Sequence, residues 1–556
     1  MADEKHMIRL PFGWNGRSND HRACQDGMKK RILHLEVCNR CYLQGKKLLT
    51  FARSHAYETL FAIVISYRLS RKSKIVQLLW GPEMPKFKKR PILVLFILFL
   101  LVCSPLLAQE SPFSELTKDE QLSEDILREM VSFESSIDQP EQIEAALRAI
   151  ETILHNAGFA SDDVKVLNPL PDSYGLVIRF RGLGEKKPLL VLAHIDVVPA
   201  VPSQWEFPPF VLGKKDGFYI GRGTSDNKAG ASTIISNFIR LKREGWTPSR
   251  DVIAAISGNE ETSGDFANWL ANEGRHLVDA EFAINTDAGG GEYDEKSKPL
   301  AFWVQTSEKI YQTYELKTSN KGGHSSVPRP DNAIRDLALA ITKLTDHRFP
   351  VKLNRMTKLT FRRSAVLHPD DVAKDMLELA DGNTDEDLVQ RLSESDPYFN
   401  ALLRTTCVPT LLSGGHAENA LPREASVIVN CRIQPGTKPK EIESVIAGLV
   451  DGLGVEIGIQ WDGLASDVSD LPDPLLEQLE SLVESRFGNI PVIPAMSTGA
   501  TDGLYFRNAG MPVFGVSGLF GLPGGSGAHG LNEKVGINEF HQSVDFMYDL
   551  LKMLAD

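Results

Sequence analysis

The sequence predicts an α/β fold, in which a mixed, largely parallel sheet is flanked by helices and carries an inserted α+β domain. Short apolar runs such as YGLVIRF, PLLVLAHIDVV, DVIAAISGNEE and AEFAINTD end in polar clusters and alternate with helical patterns. Strands that alternate with helices are typical of a sheet with a substantial parallel component. Because ligand sites in such sheets gather at the carboxyl ends of strands, the polar clusters are candidate site residues.

The composition is that of a large globular protein. The chain has 556 residues, of which 42% are hydrophobic and 24% charged, and this excludes collagen-like and wholly disordered chains. The net charge of −12 is unevenly distributed, since residues 1–90 carry 19 Lys and Arg against 7 Asp and Glu, whereas residues 109–556 carry 42 against 66. An acidic body of this kind argues against nucleic acid as a partner.

An uncharged, strongly apolar stretch at residues 91–108 follows four basic residues, which is the pattern of a secretory signal. Met84 would be an ordinary start for a signal peptide at 84–108. We therefore hypothesise that residues 1–83 are an N-terminal extension that arises from a mis-assigned start. An uncleaved signal anchor at 91–108 is the alternative, and only then would the protein be attached to a membrane. Both interpretations predict an exported protein, periplasmic or extracellular.

The six cysteines are too few for a disulfide framework. Four of them lie at or before residue 103, and one pair, Cys38 and Cys41, has the CxxC spacing of zinc and redox sites. Without a second pair at metal spacing, that motif is weak support for either site. The acidic body keeps Cys407 and Cys431, which leaves one disulfide open there.

The order of the patterns predicts how the body is divided. Helical spacing between 114 and 159 is followed by the strand and helix alternation described above. Residues 307–465 contain alternating strand patterns and a charged helical insertion at 346–406, and strands of the first type resume after them. We therefore expect one domain made of 114–306 and 466–556, with residues 307–465 inserted into it.

His194 and Asp196 end the strongly apolar run PLLVLAHIDVV. Because residues two apart on a strand face the same side, Asp196 can accept the second ring N–H of His194 and orient a metal-binding imidazole. Alone, the His-x-Asp pattern is common, and it favours a surface or core histidine over a metal ligand.

Asp226 lies in GRGTSDNKAG, a glycine-punctuated loop that leads into a helix. The spacing is not that of a phosphate-binding GxxxxGK[ST] loop, and an acid stands where a phosphate would approach. The loop therefore favours a carboxylate that is delivered to a cation. A role for Asp226 as the helix N-cap stays open at this point.

Glu260 and Glu261 follow the run DVIAAISG, and two adjacent acids after a buried strand require positive charge nearby. Successive side chains diverge, so one carboxylate can bind a metal while the other acts as general base. A solvated acidic loop is the alternative. Asp287 ends another apolar run, in AINTDAGGG, and His529 lies in the glycine-rich GSGAHGLNE.

Five of these residues supply two imidazoles, three carboxylates and no thiolate: His194, Asp226, Glu261, Asp287 and His529. Such a set suits a pair of divalent ions, with zinc expected and cobalt or manganese as substitutes. Each of these residues alone could have a purely structural role. Because all five occur at strand ends or in glycine-rich loops, a shared metal site is the better explanation.

A longer series of motifs extends this pattern from about Leu122 to the C-terminus. AHIDVVPA, GRGTSDNKAG, GNEETSG, NTDAGG, KGGHSS, GGHAENALP, CRIQPG, TGATDGLYFRNAGMPVFG and GAHGLNE occur in this order. The series resembles the co-catalytic di-zinc exopeptidase family, and is most similar to its carboxypeptidase S branch. The resemblance implies a zinc exopeptidase-like fold in which 307–465 is a lid domain that can mediate homodimerisation.

The resemblance also implies a role for each site residue. Asp226 would bridge two Zn²⁺ per subunit, with His194 and Asp287 on one ion and Glu261 and His529 on the other. Asp196 would orient His194, and Glu260 would be the general base. The implied substrate-binding residues, of which the first would commonly act in the partner subunit's site, are His324, Asn419 and Arg432.

The function expected from this set is zinc-dependent hydrolysis of the amide bond of C-terminal or N-acyl amino acids. The substrate would be a peptide or an N-acyl amino acid. A dipeptidase with the same chemistry is one alternative. A non-catalytic envelope binding protein on the same scaffold is another, and it would be signalled by loss of a ligand or of the base, although none is missing.

Overall fold

The computed structural model describes residues 116–522 and 524–556. The expected extension at 1–83 and the signal segment at 84–108 lie outside the described residues, so both stay predictions. Within the described ranges, no helix combines the length and the hydropathy that a bilayer crossing requires.

The described residues form fourteen α-helices and nineteen strands, with three short 3-10 turns at Ser161–Asp163, Pro202–Gln204 and Ala365–Leu367. The helices are α1 (Lys118–Val131), α2 (Pro140–Asn156), α3 (Lys228–Glu244), α4 (Asp265–Ala271), α5 (Arg275–Val278), α6 (Ala333–Asp346), α7 (Arg355–Ser364), α8 (Asp370–Asp381), α9 (Glu386–Ser395), α10 (Pro397–Leu403), α11 (Pro439–Val450), α12 (Asp473–Phe487), α13 (Gly503–Asn508) and α14 (Ile537–Ala555). The strands are β1 (Val164–Leu167), β2 (Gly175–Phe180), β3 (Leu189–His194), β4 (Gly213–Lys215), β5 (Phe218–Ile220), β6 (Val252–Ser257), β7 (Phe282–Asn285), β8 (Gly290–Tyr293), β9 (Pro299–Glu308), β10 (Ile310–Ser319), β11 (Gly323–His324), β12 (Thr406–Gly414), β13 (Ala420–Leu421), β14 (Glu424–Ile433), β15 (Val455–Trp461), β16 (Val492–Ser497), β17 (Val513–Gly515), β18 (Phe520–Gly521) and β19 (Lys534–Gly536).

The largest sheet has the strand order β1-β2-β6-β3-β7-β17-β9-β8-β18, with β16 paired to β9. Its centre is parallel, because β3 runs parallel to β6 and β7, and β17 runs parallel to β7. Antiparallel pairs flank this centre, at β2 against β6 on one side and at β9 against β17 on the other. The predicted mixed α/β sheet is thus confirmed.

The central strands are apolar throughout because both faces of the sheet are covered. In β3, Leu189 and Val191 pack into the core beneath α1, α2, α3, α12 and α14, while Leu190 and Leu192 point to the opposite core under α4 and α13. All four side chains are buried. The run PLLVL therefore holds β3 rigidly in the middle of three layers, and its last residue, His194, emerges at the sheet edge.

A second, four-stranded antiparallel sheet has the order β12-β14-β10-β15. Alternate residues of β14 are buried against α6 and α11, as the alternating sequence pattern predicts. Cys407 and Cys431 are directly paired across β12 and β14 and form a disulfide. The disulfide that the sequence left open is therefore present.

Helices α7–α10 lie within the predicted helical insertion, and they pack against the large sheet. The Thr360 hydroxyl donates to the carbonyl of Pro494 at 2.6 Å, and Arg363 Nη1 donates to the carbonyl of Val492 at 3.1 Å. Met496 of β16 joins the apolar cluster of these helices, beside Phe361. The insertion thus covers the edge of the sheet that carries β16.

The β8 and β9 hairpin was not anticipated from the sequence. The apolar run in PLAFWVQTSE is short, and the strand pairs with both β8 and β16. Lys309 alone separates β9 of the large sheet from β10 of the second sheet. The chain therefore passes between the two sheets through one residue.

Candidate metal centre and active site

The predicted site residues meet at the carboxyl ends of the parallel strands. His194 is the last residue of β3, the glutamates at 260 and 261 follow β6, and Asp287 follows β7. Asp226 precedes α3, and His529 lies in the loop between β18 and β19. Since β3, β6 and β7 are adjacent and parallel, the fold brings these segments to one edge of the sheet.

Asp226 lies between the two histidines. Its Oδ1 is 3.0 Å from Nε2 of His194, and its Oδ2 is 3.2 Å from Nε2 of His529. His194 Nε2 is also 3.5 Å from Oδ1 of Asp287, while His529 Nε2 is 3.0 Å from Oε2 of Glu261. The Asp226 carboxylate is thus shared between two sets of groups. Each set adds one imidazole and one further carboxylate, His194 with Asp287 and His529 with Glu261.

Two groups of possible ligand atoms result, each with its atoms within 4.8 Å of one another. One group is His194, Glu260 and Asp287, and the other is Asp226, Glu261 and His529. Glu260 Oε2 is 3.9 Å from Nε2 of His194, farther than the nearest oxygens of Asp226, at 3.0 Å, and of Asp287, at 3.5 Å. The geometry fits a pair of cations that share Asp226, with Glu260 beside them.

The charges of the cluster also fit cations. In the described part of the chain, no Lys or Arg side chain lies within ion-pair distance of Asp226, Glu260, Glu261 or Asp287. Burial raises the pKa of Glu260 well above its ordinary value, that of Glu261 to about 7 and that of Asp287 to about 6. Carboxylates that are desolvated in this way require positive charge to stay ionised.

The histidines supply part of that charge. Burial disfavours the charged ring of His194, but the carboxylates of Asp287, Asp196 and Asp226 raise its pKa well above the ordinary value. The contact with Asp226 raises the pKa of His529 to about 9. Burial opposes ionisation of Asp226, but its contacts with both histidines hold its pKa below the usual range. Divalent cations would take the place of these ring protons.

Asp196 holds the backbone of the two glutamates. Its carboxylate accepts the N–H groups of Glu260 at 3.1 Å and Glu261 at 2.9 Å. The ring Nδ1 of His194 lies 3.1 Å from the carbonyl oxygen of Asp196 and 3.5 Å from its carboxylate. β3 ends at His194, so the strand periodicity used in the sequence prediction no longer applies at Asp196. The imidazole is therefore oriented mainly by the Asp196 backbone.

Glu533 was not singled out from the sequence, although it ends the GAHGLNE motif. Its buried carboxylate accepts the backbone N–H groups of Gly223 at 3.0 Å, Ser225 at 2.7 Å and Asp226 at 3.0 Å. It also pairs with Arg222 at 2.8 Å. The N–H groups that a phosphate would need are thus occupied by this carboxylate, which rules out the phosphate-binding alternative for the loop.

The N-cap alternative for Asp226 also fails. Asn227, not Asp226, is the N-cap of α3, and the helix start has no side-chain capping bond. The peptide bond between these two residues is cis. The distances of the two Asp226 oxygens to the histidines, 3.0 Å from Oδ1 to His194 Nε2 and 3.2 Å from Oδ2 to His529 Nε2, show that both face these rings.

Asp502 is a second acid that the sequence prediction missed. Its carboxylate accepts the hydroxyl of Ser257, the last residue of β6, and it borders the same cavity as Glu260. Burial raises its pKa to about 7. The motif TGATDG contains Asp502, but the pairing with Ser257 spans 245 positions and leaves no local signal.

A cavity of about 790 Å³ opens over the metal groups. Arg432, one of the three predicted substrate-binding residues, lines it together with Lys309 and Tyr311. Arg432 lies 4.5 Å from the ring centre of Tyr311 and donates to the carbonyl of Thr498 at 3.0 Å. No described carboxylate forms an ion pair with Arg432 or with Lys309, whose Nζ donates to the carbonyl of Arg404 at 2.8 Å. Two basic residues thus line a cavity that contains the carboxylate cluster.

His324 and Asn419 lie elsewhere. His324 is in β11, paired with Ala420 of β13, and both predicted residues are exposed. Neither is among the described residues that line the cavity over the metal groups. His324 Nδ1 accepts the Ser326 N–H at 3.1 Å. Within one chain, the fold does not bring these two residues to the site.

Comparisons with known proteins agree with this geometry. A human N-fatty-acyl-amino acid synthase/hydrolase is 29% identical over 66% of this chain and 74% of its own length. A probable carboxypeptidase S-like protein 2 of Dictyostelium discoideum is 30% identical over 68% of this chain and 74% of its own length.

The fold is shared with solved structures. A metallo-carboxypeptidase of the M20 family from Sulfolobus solfataricus superposes with a TM-score of 0.58 at 19% identity, covering 79% of this chain and 99% of that protein. The family model described as peptidase family M20/M25/M40 matches residues 190–553, which include all the residues of the two metal groups. Since that match spans well over half of the sequence, the chain belongs to peptidase family M20/M25/M40.

Proposed function

We propose that the protein is a zinc-dependent amidohydrolase that releases an amino acid with a free carboxylate from an N-acyl amino acid or from the C-terminus of a peptide. The observation that supports this most strongly is the placement of Arg432 and the two metal groups around one cavity of about 790 Å³. The cluster can act on an amide, while Arg432 can bind the carboxylate beside it.

Two divalent cations would be held by His194 and Asp287 on one side and by Glu261 and His529 on the other, with Asp226 shared. When bound, they supply Lewis acidity, which lowers the pKa of water and favours negative charge on the scissile carbonyl oxygen. Nitrogen and oxygen ligands without thiolate suit zinc, with cobalt or manganese as substitutes.

Glu260 is the residue that moves the proton. Its side chain borders the cavity and lies farther from His194 than the carboxylates of Asp226 and Asp287 do. Burial raises its pKa well above the ordinary value, which brings a carboxylate closer to the pKa of an effective general base. Glu260 takes a proton from the attacking water and gives it to the nitrogen of the leaving amine.

Arg432 and Lys309 determine which end of the substrate binds in this part of the cavity. Arg432 presents a guanidinium that no described carboxylate neutralises, and a substrate carboxylate is its natural partner. Burial lowers the pKa of Lys309 to about 7. A bound carboxylate would favour its charged form, so both cations favour an anionic group on the amine side of the scissile bond.

The names of the relatives support this substrate class. One is named as an N-fatty-acyl-amino acid synthase/hydrolase and another as a probable carboxypeptidase S-like protein. Both names describe proteins that act next to an amino acid with a free carboxylate, which is the group that Arg432 is placed to bind.

We also propose that the active form is a homodimer. His324 and Asn419 are exposed on the second sheet's side of the chain and away from the cavity of the same chain. A partner subunit would bring its own copies of these residues to the site, as the family resemblance implies. Size-exclusion chromatography with light scattering tests this, since a monomer with full activity would contradict it.

We further propose that the protein is exported. The disulfide between Cys407 and Cys431 is typical of an oxidising compartment. The signal pattern at 91–108 points the same way. Fractionation of the native host and N-terminal sequencing test this, since an intact Met1 start in the cytosol would contradict it.

A substrate panel tests the enzymatic proposal. Purified protein with zinc is assayed on N-acetyl amino acids, on the same compounds with a C-terminal carboxamide, and on unblocked dipeptides. The proposal predicts hydrolysis of the N-acetyl amino acids and little of the carboxamides. Hydrolysis of unblocked dipeptides alone would instead identify a dipeptidase, and no hydrolysis of any member would contradict the proposal.

A further inference from the structure

We propose that Arg404 and Arg348 form a binding site for a small oxyanion, separate from the metal centre. The site lies where α10 ends and β12 begins, at the junction of the helical insertion with the second sheet. The inference goes beyond the proposed function and does not depend on it, because it concerns a charge outside the active-site cavity.

The buried arginines of the described chain differ in one respect. Four arginines are less than a tenth exposed: Arg222, Arg250, Arg404 and Arg507. Three of them pair with a carboxylate, at 2.8 Å in Arg222–Glu533, 2.7 Å in Arg250–Glu281 and 2.6 Å in Arg507–Glu308. Arg404, which is 8% exposed, has no described carboxylate within ion-pair distance. The fold thus supplies a counter-charge to every described buried guanidinium except this one.

Arg404 also lacks other partners. Its Nε is buried and has no hydrogen-bond acceptor among the described residues. Burial and the positive charge of Arg348 both lower the pKa of Arg404, and no carboxylate acts in the opposite direction. A guanidinium nevertheless stays protonated in proteins. Because an unpaired charge is costly to bury, a counter-ion from solution is the natural partner of this side chain.

The backbone around Arg404 is anchored on two sides. The Lys352 N–H donates to the carbonyl of Leu403 at 2.9 Å, which attaches the loop between α6 and α7 to the end of α10. On the other side, Gln434 Nε2 donates to the carbonyl of Leu402 at 2.8 Å. These contacts use the carbonyl oxygens next to Arg404 and leave its guanidinium without an acceptor.

The charges beside Arg404 are positive, although the body of the chain is acidic. Arg348 and Lys352 are exposed on the loop between α6 and α7, and Lys352 Nζ donates to the Thr437 hydroxyl at 2.7 Å. No described carboxylate forms an ion pair with either of them. One oxyanion can accept hydrogen bonds from two guanidinium groups. An oxyanion between Arg348 and Arg404 would therefore offset their repulsion and supply the missing negative charge.

This site is next to the active-site cavity but outside it. Lys309, which lines that cavity, donates from Nζ to the backbone carbonyl of Arg404 at 2.8 Å. Arg404 is not among the described residues that line the cavity. The pKa of Lys309 is lowered by burial and by Arg432, and Arg404 does not contribute. An anion at Arg404 is therefore distinct from the substrate carboxylate that we assign to Arg432.

The first experiment measures sulfate binding to the zinc-loaded full chain by calorimetry, at an ionic strength held constant with sodium chloride. Sulfate is the probe because it does not precipitate zinc as phosphate does. We expect Arg404→Met to weaken sulfate binding by at least about tenfold, since it removes hydrogen bonds between two charged groups. Arg423→Met, which removes an exposed guanidinium that has no described ion pair, is the matched control and should bind sulfate as the unchanged protein does.

Two outcomes of this experiment would overturn the inference. One is the absence of sulfate binding, or equal binding in Arg404→Met and in the unchanged protein. The other is binding that is lost in Arg432→Met and kept in Arg404→Met, which would place the anion in the active-site cavity.

The second experiment compares Tm in sulfate and in chloride at equal ionic strength. Sulfate stabilises folded proteins in general, so the comparison is made between variants. The rise in Tm should be smaller in Arg404→Met and in Arg348→Met than in Arg423→Met. Equal rises in all three variants would contradict the site.

Arg348→Met decides the matter if Arg404→Met does not fold, because Arg348 is exposed. We expect it to weaken sulfate binding by about threefold or more, and an unchanged affinity would overturn the inference. A carboxylate of a second copy of the chain is the rival source of negative charge. In that case Arg404→Met would convert a dimer into monomers in light scattering and the unchanged protein would bind no sulfate, which would also overturn the inference.

Discussion

The carboxylate of Glu533 accepts a hydrogen bond from the backbone N–H of Asp226 at 3.0 Å. The two residues are 307 positions apart, and the bond joins the loop before α3 to the loop that carries His529. The same carboxylate oxygen accepts the N–H of Ser225 at 2.7 Å. Glu533 therefore fixes the backbone from which Asp226 reaches both histidines.

We expect Glu533→Gln to weaken metal binding by about 10–100-fold, as is typical when a residue that orients metal ligands is changed. In the variant, the side-chain amide nitrogen, which is a hydrogen-bond donor, would face backbone N–H groups. In the unchanged protein, these N–H groups donate to a carboxylate oxygen of Glu533. Titration of the metal-free protein with zinc, followed by calorimetry, measures this. Glu273→Gln, an exposed acid of the α4 and α5 connection, is the control. Unchanged affinity in Glu533→Gln would contradict the role.

Glu260→Gln should keep the metal content and lose turnover. The amide has nearly the shape of the carboxylate but cannot take a proton, and general acid–base catalysis contributes about 10²–10⁴-fold. Zinc content and kcat on the best N-acyl amino acid are measured together. A loss of less than about tenfold would contradict the assignment of Glu260 as the base.

Arg432→Met should lower kcat/KM for N-acyl amino acids by about 10–100-fold, since a hydrogen bond to a charged group contributes about 1.5–3 kcal/mol. The matched substrate with a C-terminal carboxamide should be affected much less. Arg335→Met, exposed on α6, controls for loss of a guanidinium. Equal losses on both substrates would show that Arg432 acts through the structure and not through the carboxylate.

Much of the site could be predicted because its signals are local. His194, Asp226 and Asp287 each lie next to an apolar run or a glycine-rich loop, and the parallel strands then bring them to one edge. Lys309 and Glu533 have no such signal. Lys309 derives its importance from burial between two sheets, and Glu533 from contacts with a loop about 300 positions away.

The strand and helix alternation likewise predicted the central sheet but not all of it. β9 was missed because its pairing with β16 joins segments almost 200 residues apart. A cavity under α7–α10 was missed for the same reason, since it exists only where the helical insertion packs on β16. Periodicity reports which face of a segment is buried, but not which distant segment covers it.

The stability of the fold should depend on His541 at mildly acidic pH. Burial lowers the pKa of His541, whose ring nitrogens lie 3.2 Å from Tyr219 Oη and 3.4 Å from Ser123 Oγ. As the pH falls below about 6.5, the unfolded chain binds a proton that the folded ring resists, so stability falls.

Denaturant unfolding at pH 8, 6 and 5 measures this dependence. His541→Gln should show a shallower loss of unfolding free energy between pH 8 and pH 5 than the unchanged protein. His276→Gln, exposed on α5, controls for the removal of a histidine. An identical pH slope in the His541 variant would contradict the assignment.

The disulfide should stabilise the second sheet. Cys407 and Cys431 enclose a short loop, with a sequence separation of 24, and crosslinks of this kind contribute about 2–4 kcal/mol. The double change Cys407→Ala with Cys431→Ala should lower the free energy of unfolding by about that amount. Unfolding in denaturant, with and without a reductant, measures it. A reductant that destabilises the double variant as much as the unchanged protein would contradict the role of this bond.

The central claim is that two cations sharing Asp226 make this chain an amidohydrolase. The direct test titrates metal-free protein with zinc while following hydrolysis of an N-acyl amino acid, with bound metal measured by atomic emission. The account predicts two zinc ions per chain, activity that is complete at two equivalents, and loss of binding and activity together in Asp226→Ala. Full activity without metal, or in Asp226→Ala, would contradict it.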